Sequence, residues 1–263
     1  MQLICIAKMS LKIQYCSDLH LEFPENKAFL KEHPIQANAD ILILAGDIIP
    51  FAVLDKHDDF LNDIAGKFEA VYWIPGNHEY YSFDAAKKSG VLNEKIRKNV
   101  FLVNNITLLH NNVRFIFSTL WSKISPAYEW QIERGISDFR VIKFNGYRLS
   151  VAQFNQLHEE SYNFIEQEMN KFYDGKTVVV THHVPTFLNY PEQYKGDALN
   201  EAFAIELFDF IEPLNIDYWI YGHHHCNIPA FKIGATEMLT NQLGYVRHNE
   251  NRDFKNSSII NIL

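Results

Sequence analysis

Short apolar runs, each ending in a polar residue able to bind a metal, recur along this chain. Residues 12–16 read as a strand and lead into Ser17-Asp18-Leu19-His20. Residues 41–45 (ILILA) alternate too little to face water, which predicts a central strand, and Gly46-Asp47 follows. Residues 71–74 (VYWI) break at Pro75-Gly76 and open into Asn77-His78-Glu79. The runs at 177–180 and 218–221 repeat the pattern ahead of His182 and His223. Strands that each end in such side chains place the chemistry along one edge of a sheet.

Helical periodicity fills the intervals. Residues 54–68 and 82–98 are predicted helices between strands, and 202–214 a third, ahead of the 218–221 strand. Ser150 with Gln153 forms a capping-box pattern before a long amphipathic run to Phe172, which Asp174-Gly175 stops. Residues 101–103, 106–110 and 113–118 read as short antiparallel strands between Asn-rich turns, and 230–233, 237–239 and 258–262 as late strands. Helix–strand alternation at both ends, with hairpins between, predicts an α/β fold of two packed sheets flanked by helices.

The polar ends of the strands carry the candidate chemistry. They form five clusters in order: Asp18-x-His20, Gly46-Asp47, Gly76-Asn77-His78-Glu79, Thr181-His182-His183 and Gly222-His223-His224-His225. Each has an ordinary explanation alone: a helix cap, a turn, a satisfied histidine pair, a surface histidine tract. In series they are hard to explain without a metal, since Asp, Asn and His are the donors that hold hard to borderline divalent ions. Asp18 and His20 lie two residues apart, so extended chain carries both to one side.

This ordered set resembles the calcineurin-like metallophosphoesterases, whose pattern runs D-x-H, G-D, G-N-H-[DE], H, G-H-x-H; the match spans Asp18 to His225. The stretch 115–121, Asp138-Phe139-Arg140 and Gly244-Tyr245 also resemble a subgroup of small bacterial members. The resemblance implies a four-layer α/β/β/α sandwich of two mixed sheets and two divalent metal ions bridged by Asp47. Asp18, His20 and His225 would complete one site, and Asn77, His182 and His223 the other. It also implies that His78 binds no metal but contacts the phosphate and protonates the leaving oxygen, with Glu79 orienting His78 or capping the next helix. Two departures stand out. The variable position of G-H-x-H is His224, an added or alternative ligand, and Gln242 stands where the tail pattern has proline.

Such equipment suits phosphoryl transfer. Two cations roughly 3.5–4 Å apart clamp the phosphate oxygens and lower the pKa of a bound water, which attacks as a metal-bound hydroxide. An acid then assists the leaving group. The chain has no Gly-x-Ser-x-Gly elbow and no phosphate-binding loop of the G-x-x-x-x-G-K-[ST] type. The expected function is a metal-dependent phosphoric ester hydrolase, phosphatase or phosphodiesterase. The alternative is a non-catalytic metal-binding scaffold on the same fold, which would be expected to have lost ligands or the catalytic histidine. An all N and O donor set favours manganese or iron over zinc.

Composition narrows the setting. At 263 residues and 47% hydrophobic content, the expectation is a single domain over residues 1–263 with one large core. A formal net charge of −8 disfavours an extended nucleic-acid surface, so a small phosphorylated substrate is the expected partner. No apolar run is long enough for a membrane span. Three cysteines, Cys5, Cys16 and Cys226, show no pairing pattern and suit a reduced, cytoplasmic setting. Cys226 reads as a small buried apolar residue rather than a thiolate ligand. Met9-Ser10-Leu11-Lys12 looks like a natural start, so the first eight residues are expected to be an upstream start or a dispensable arm. Residues 120–149 form an irregular segment rich in aromatics, either a packed excursion or a substrate lid whose Arg134 or Arg140 grips a substrate anion.

Overall fold

Residues 10–263 are described by a computed structural model. Cys5 and the expected arm at residues 1–8 lie outside them. In the first half of the chain, β1 (Leu11–Cys16), β2 (Ile41–Ala45) and β3 (Ala70–Ile74) are separated by α1 (Pro24–Glu32) and α2 (Asp58–Lys67). The antiparallel ladder of β4 (Leu92–Lys95) with β5 (Val100–Asn104) follows, then the hairpin of β6 (Ile106–His110) and β7 (Val113–Phe117). An excursion carries α3 (Glu129–Gly135), α4 (Asp138–Val141) and a small ribbon of β8 (Lys143–Phe144) and β9 (Tyr147–Arg148). Beyond it come α5 (Val151–Met169), β10 (Lys176–Val180), α6 (Phe208–Ile211) and β11 (Tyr218–Tyr221). The last strands are β12 (Phe231–Ile233), β13 (Thr236–Thr240) and β14 (Ile259–Ile262).

These strands form two mixed six-stranded sheets, ordered β14-β1-β2-β3-β5-β4 and β12-β13-β11-β10-β7-β6. In each, four parallel strands occupy the middle and an antiparallel strand closes either edge. Central parallel strands bury both faces, which is why ILILA and VYWI carry no polar face. Between the sheets lie Ile13, Ile43 and Tyr72 from one side, and Phe115, Phe117, Val178 and Val180 from the other. Emptying one such aromatic position, as in Phe115→Ala, costs about 3–5 kcal/mol. Leu30 of α1 and Leu61 and Ile64 of α2 cover the outer face of the first sheet. Ile165 of α5 and Ile211 of α6 cover the outer face of the second, giving the α/β/β/α layering.

Several local expectations need correction. Residues 82–98 hold a short 3-10 turn at Ala85–Lys87 and then strand β4, not a helix. Ser89-Gly90 breaks the helical run, and the pairing of β4 with β5 overrides propensity. Of the predicted helix at 202–214 only Phe208–Ile211 forms. Val184 N–H donates to Phe203 O and Ile205 N–H to Val184 O, so this backbone is committed elsewhere, and Pro213 limits extension. The region 54–68 divides into a 3-10 stretch at Phe51–His57 and α2. Residues 101–103 pair antiparallel, but with β4, and 101–102 also pair parallel with β3 in the first sheet, while the chain crosses to the second sheet at Asn105 (φ 47°). The capping box at Ser150 and Gln153 forms as read.

Candidate metal centre

The C-terminal ends of β1, β2 and β3 meet those of β10 and β11 at one end of the sandwich. There the loop after β1 zips against the loop after β2, with Asp18 N–H to Gly46 O at 2.9 Å and His20 N–H to Asp47 O at 2.9 Å. Neither Asp18 nor His20 is in extended chain. Asp18 (φ 56°), His20 (φ 48°), Asp47 (φ 57°), His223 (φ 82°) and His225 (φ 50°) all adopt the left-handed region. The reason given above for Asp18 and His20 facing one way is therefore corrected: turns, not strand alternation, aim them. Such conformations cost about 1–3 kcal/mol each and persist where surrounding bonds hold them, commonly at functional sites. Glycine is required where the ligands crowd the backbone. A Cβ at Gly76 would lie 2.2 Å from Asp47 Oδ1, and one at Gly222 would lie 2.6 Å from Asp18 Oδ2.

All seven expected ligands come together, in two clusters that share Asp47. Asp18, His20, Asp47 and His225 form one; Asp47, His182 and His223 form the other, and within each the donor atoms lie within 4.8 Å of one another. His20 Nε2 and His225 Nε2 approach to 2.9 Å, and His182 Nε2 and His223 Nδ1 to 3.0 Å. Asn77 joins the second cluster through Oδ1, 3.3 Å from His182 Nε2. Its Nδ2 donates to Asp138 at 3.0 and 3.2 Å, which turns the oxygen inward.

The outer nitrogens test whether this set fits a cation. His182 Nδ1 faces Ala45 O at 2.9 Å and His223 Nε2 faces Ala202 O at 3.3 Å. A carbonyl only accepts, so those nitrogens carry the protons. His225 Nδ1 meets Glu250 at 2.7 Å and His20 Nδ1 meets Glu22 at 3.2 Å. In all four rings the outer N–H is anchored on oxygen and the other nitrogen points inward, the support that metal-bound histidines receive. Burial and the neighbouring His183 push His223 well below the usual histidine pKa, and burial with His78 lowers His20. His182 and His225 are buried too, but Asp47 raises the first to about 9, and hydrogen bonds to Asp18 and Glu250 raise the second to about 10. Without a cation, a proton on those two inner nitrogens, each 3.4 Å from a carboxylate oxygen, meets the same negative charge.

His78 lies outside both shared-Asp47 clusters. Its backbone N–H donates to Asp47 Oδ1 at 2.8 Å and its ring stacks on Tyr81, centroids 3.9 Å apart. Nδ1 meets Glu22 at 2.8 Å and Nε2 meets the Tyr245 hydroxyl at 3.2 Å. Burial works against charge on His78, but Asp47 and Glu22 outweigh it and raise its pKa. Glu79 does neither job expected of it. Its buried carboxylate accepts five N–H groups, from Asp47, Ile48, Ile49, Gly76 and the Trp73 indole, tying the loop after β2 to the loop after β3. Glu22, Asp138, Tyr245 and Glu250 belong to the site without having been given a role in it, although Asp138 and Tyr245 fall in segments that carried the subgroup resemblance. Glu22 carried a faint signal, two residues beyond Asp18-x-His20; Glu250 gave none, because its contact with His225 spans 25 positions.

A cavity of about 370 Å³ opens above the clusters, walled by His78, Tyr81, Asp138, Tyr190, His224 and Tyr245 among others. Residues 135–138 of the excursion form part of its wall, while Trp121, Ile132 and Phe139 anchor the same segment on α5. Arg134 and Arg140 do not reach it, which corrects the expectation that they grip substrate. Both are exposed; Arg140 donates to Arg134 O and Ser137 Oγ, and Arg134 lies over the Trp130 ring. His224 joins neither cluster, and its Nδ1 is taken up by Gln242 Nε2 at 2.8 Å. Cys226 is half-buried and also stays outside the clusters.

The sequence pattern of the calcineurin-like phosphoesterases matches residues 11–227. This chain belongs to that family. A protein of Acanthamoeba polyphaga mimivirus, L509, is 30% identical over 91% of this chain and 93% of its own length. Among solved structures, the phosphopantetheinyl hydrolase PptH of Mycobacterium tuberculosis superposes with a TM-score of 0.69, covering 96% of this chain and 95% of that one at 16% identity. That likeness shows the fold alone. Members of the family are metal-dependent phosphoesterases, and the two clusters could hold the metal. No helix among the described residues is long and apolar enough to cross a membrane.

Proposed function

We propose that this chain hydrolyses a small phosphate ester, monoester or diester, with two divalent ions held by the clusters on either side of Asp47. The observation that carries the reading is the set of four inward imidazole nitrogens, two on each side of one buried carboxylate, each with its outer N–H anchored on oxygen. Ions bound there would neutralise charge on the phosphoryl oxygens and acidify a water. The all N and O donor set favours manganese or iron over zinc.

The protein's own groups do the rest. Asp138 keeps the Asn77 oxygen turned inward. Glu22 holds the Nδ1 proton of His78, which leaves Nε2, beside the Tyr245 hydroxyl at the cavity wall, to hand a proton to the departing oxygen. None of the cavity's lining residues is Lys or Arg, while Asp138, Asp197 and Glu250 are among them. This favours an alcohol portion that is neutral or cationic over one bearing a second anion. A non-catalytic scaffold would have no use for a buried histidine held between a carboxylate and a phenol beside the clusters. Among the described residues Cys16 and Cys226 are free, which suits a reducing compartment such as the cytoplasm.

The test is hydrolysis of p-nitrophenyl phosphate and of its bis ester by protein stripped with chelator, before and after manganese is restored. Turnover of either ester that appears only with manganese supports the reading, and the better ester decides phosphatase against phosphodiesterase. Activity indifferent to chelation, or none on either ester with manganese bound, would overturn it.

A further inference from the structure

The two positions at which this chain departs from its family's pattern, His224 and Gln242, are hydrogen-bonded to each other. Gln242 Oε1 accepts the backbone N–H of His225 at 2.7 Å. A backbone N–H can only donate, so the other end of the amide is the NH₂, and it points at His224 Nδ1 at 2.8 Å while also donating to Thr240 Oγ1 at 2.6 Å. The Cys226 N–H approaches the same His224 Nδ1 at 3.3 Å. With two donors aimed at it, Nδ1 is the bare nitrogen, and the ring proton sits on Nε2.

That N–H has a direction. His224 is buried at 5% exposure yet lines the cavity, between the rings of Tyr190 and Tyr221 at 5.8 and 5.9 Å. Among the described residues its Nε2 meets no hydrogen-bonding partner. Its chain neighbours His223 and His225 belong to opposite clusters, which places residue 224 next to both. A phosphate drawn to ions held at the two clusters would enter the cavity that His224 lines. Among the described residues no Lys or Arg lines the cavity, so His224 Nε2–H is one of its uncharged donors.

We propose that His224 is a substrate-binding residue whose Nε2–H donates to a phosphoryl oxygen, and that Gln242 is the positioning residue that fixes this tautomer. The proposal rests on the phosphoesterase reading. It also gives the missing proline a reason, because proline at 242 has no amide to set the ring.

Two substitutions separate this role from a structural one. His224→Asn leaves an oxygen near the place of Nδ1 for Gln242 but removes the cavity donor. His224→Gln carries its NH₂ near the place of Nε2 but gives up the contact with Gln242. Manganese-loaded wild type and both variants are titrated calorimetrically with inorganic phosphate, and bound manganese is counted by elemental analysis. The expected result is a full manganese count in all three, phosphate affinity lowered about 10–100-fold in His224→Asn, and affinity within about threefold of wild type in His224→Gln. The reverse ranking, equal behaviour of the two variants, or loss of manganese with phosphate overturns the assignment. Wild type that binds manganese but no phosphate removes the phosphoesterase reading with it, an outcome distinct from failure in the variants alone.

Discussion

His78 Nδ1 is held by Glu22 at 2.8 Å, across 56 positions of sequence, while the adjacent Glu79 turns away to the loop backbone. The same Glu22 oxygen also faces His20 Nδ1 at 3.2 Å. Burial opposes ionisation of Glu22, yet these two histidines bring its pKa down to about 2. One carboxylate thus sets the ring of a candidate metal ligand and the ring of the candidate acid. Glu22→Gln should keep the manganese and lower kcat roughly 10–100-fold, the usual worth of such a supporting group. His78→Gln should also keep the manganese and lose about 10²–10⁴-fold. Both defects should be larger for alkyl esters than for p-nitrophenyl phosphate, whose leaving group needs little protonation. Rates on the two ester classes decide the matter; equal defects would make His78 a binding group and not an acid.

Asp138 and Arg140 lie two residues apart in the excursion and should behave oppositely. Asp138→Ala removes the acceptor that turns the Asn77 amide, and Tyr81 loses its 2.8 Å partner as well. Affinity for one of two manganese ions should fall about 10–100-fold, read by calorimetry. Arg140→Ala and Arg134→Ala should leave KM within about twofold, since surface groups outside the cavity carry little energy.

Glu79 makes a prediction about stability. Every neighbour of its carboxylate is a donor, so an NH₂ introduced by Glu79→Gln must face at least two N–H groups. That should cost about 1–3 kcal/mol, seen as a lowered melting temperature even in metal-loaded protein. A variant as stable as wild type would show that the two loops are held by other contacts.

How much of this was legible beforehand follows from range. Asp18, Asp47, Asn77, His182 and His223 stand just past the ends of apolar strands, so hydrophobic pattern and ligand identity pointed to them together. The partners that aim them come from afar: Glu22 to His78, Asp138 to Asn77, Ala45 to His182. Little in the local pattern gives such a residue its role, because that role exists only once two loops meet. The same physics misled the reading of residues 82–98, where strand pairing across the sheet outweighed helical composition.

Proton release should accompany metal uptake. His182 and His225 have pKa values raised to about 9 and 10 in the metal-free protein, despite burial, by Asp47, Asp18 and Glu250. Raised histidine values stabilise the metal-free fold below about pH 6.5, and that contribution is lost as pH rises through 9 to 10. A cation takes the same nitrogens, so its affinity should rise with pH across this range. Manganese titrations at pH 7.5 in two buffers of different ionisation enthalpy should show about two protons released per chain, one from each ring. Release of none would mean that those rings do not bind the ions.

If Asp47 joins two ion sites, the number of ions bound per chain must show it. Protein prepared without chelator and supplied with manganese should approach two equivalents per chain by elemental analysis. Asn77→Ala and His182→Ala should each approach one, and Asp47→Ala should lose metal and activity together. Saturation of wild type at one equivalent, with Asn77→Ala and His182→Ala binding as wild type does, would contradict the account.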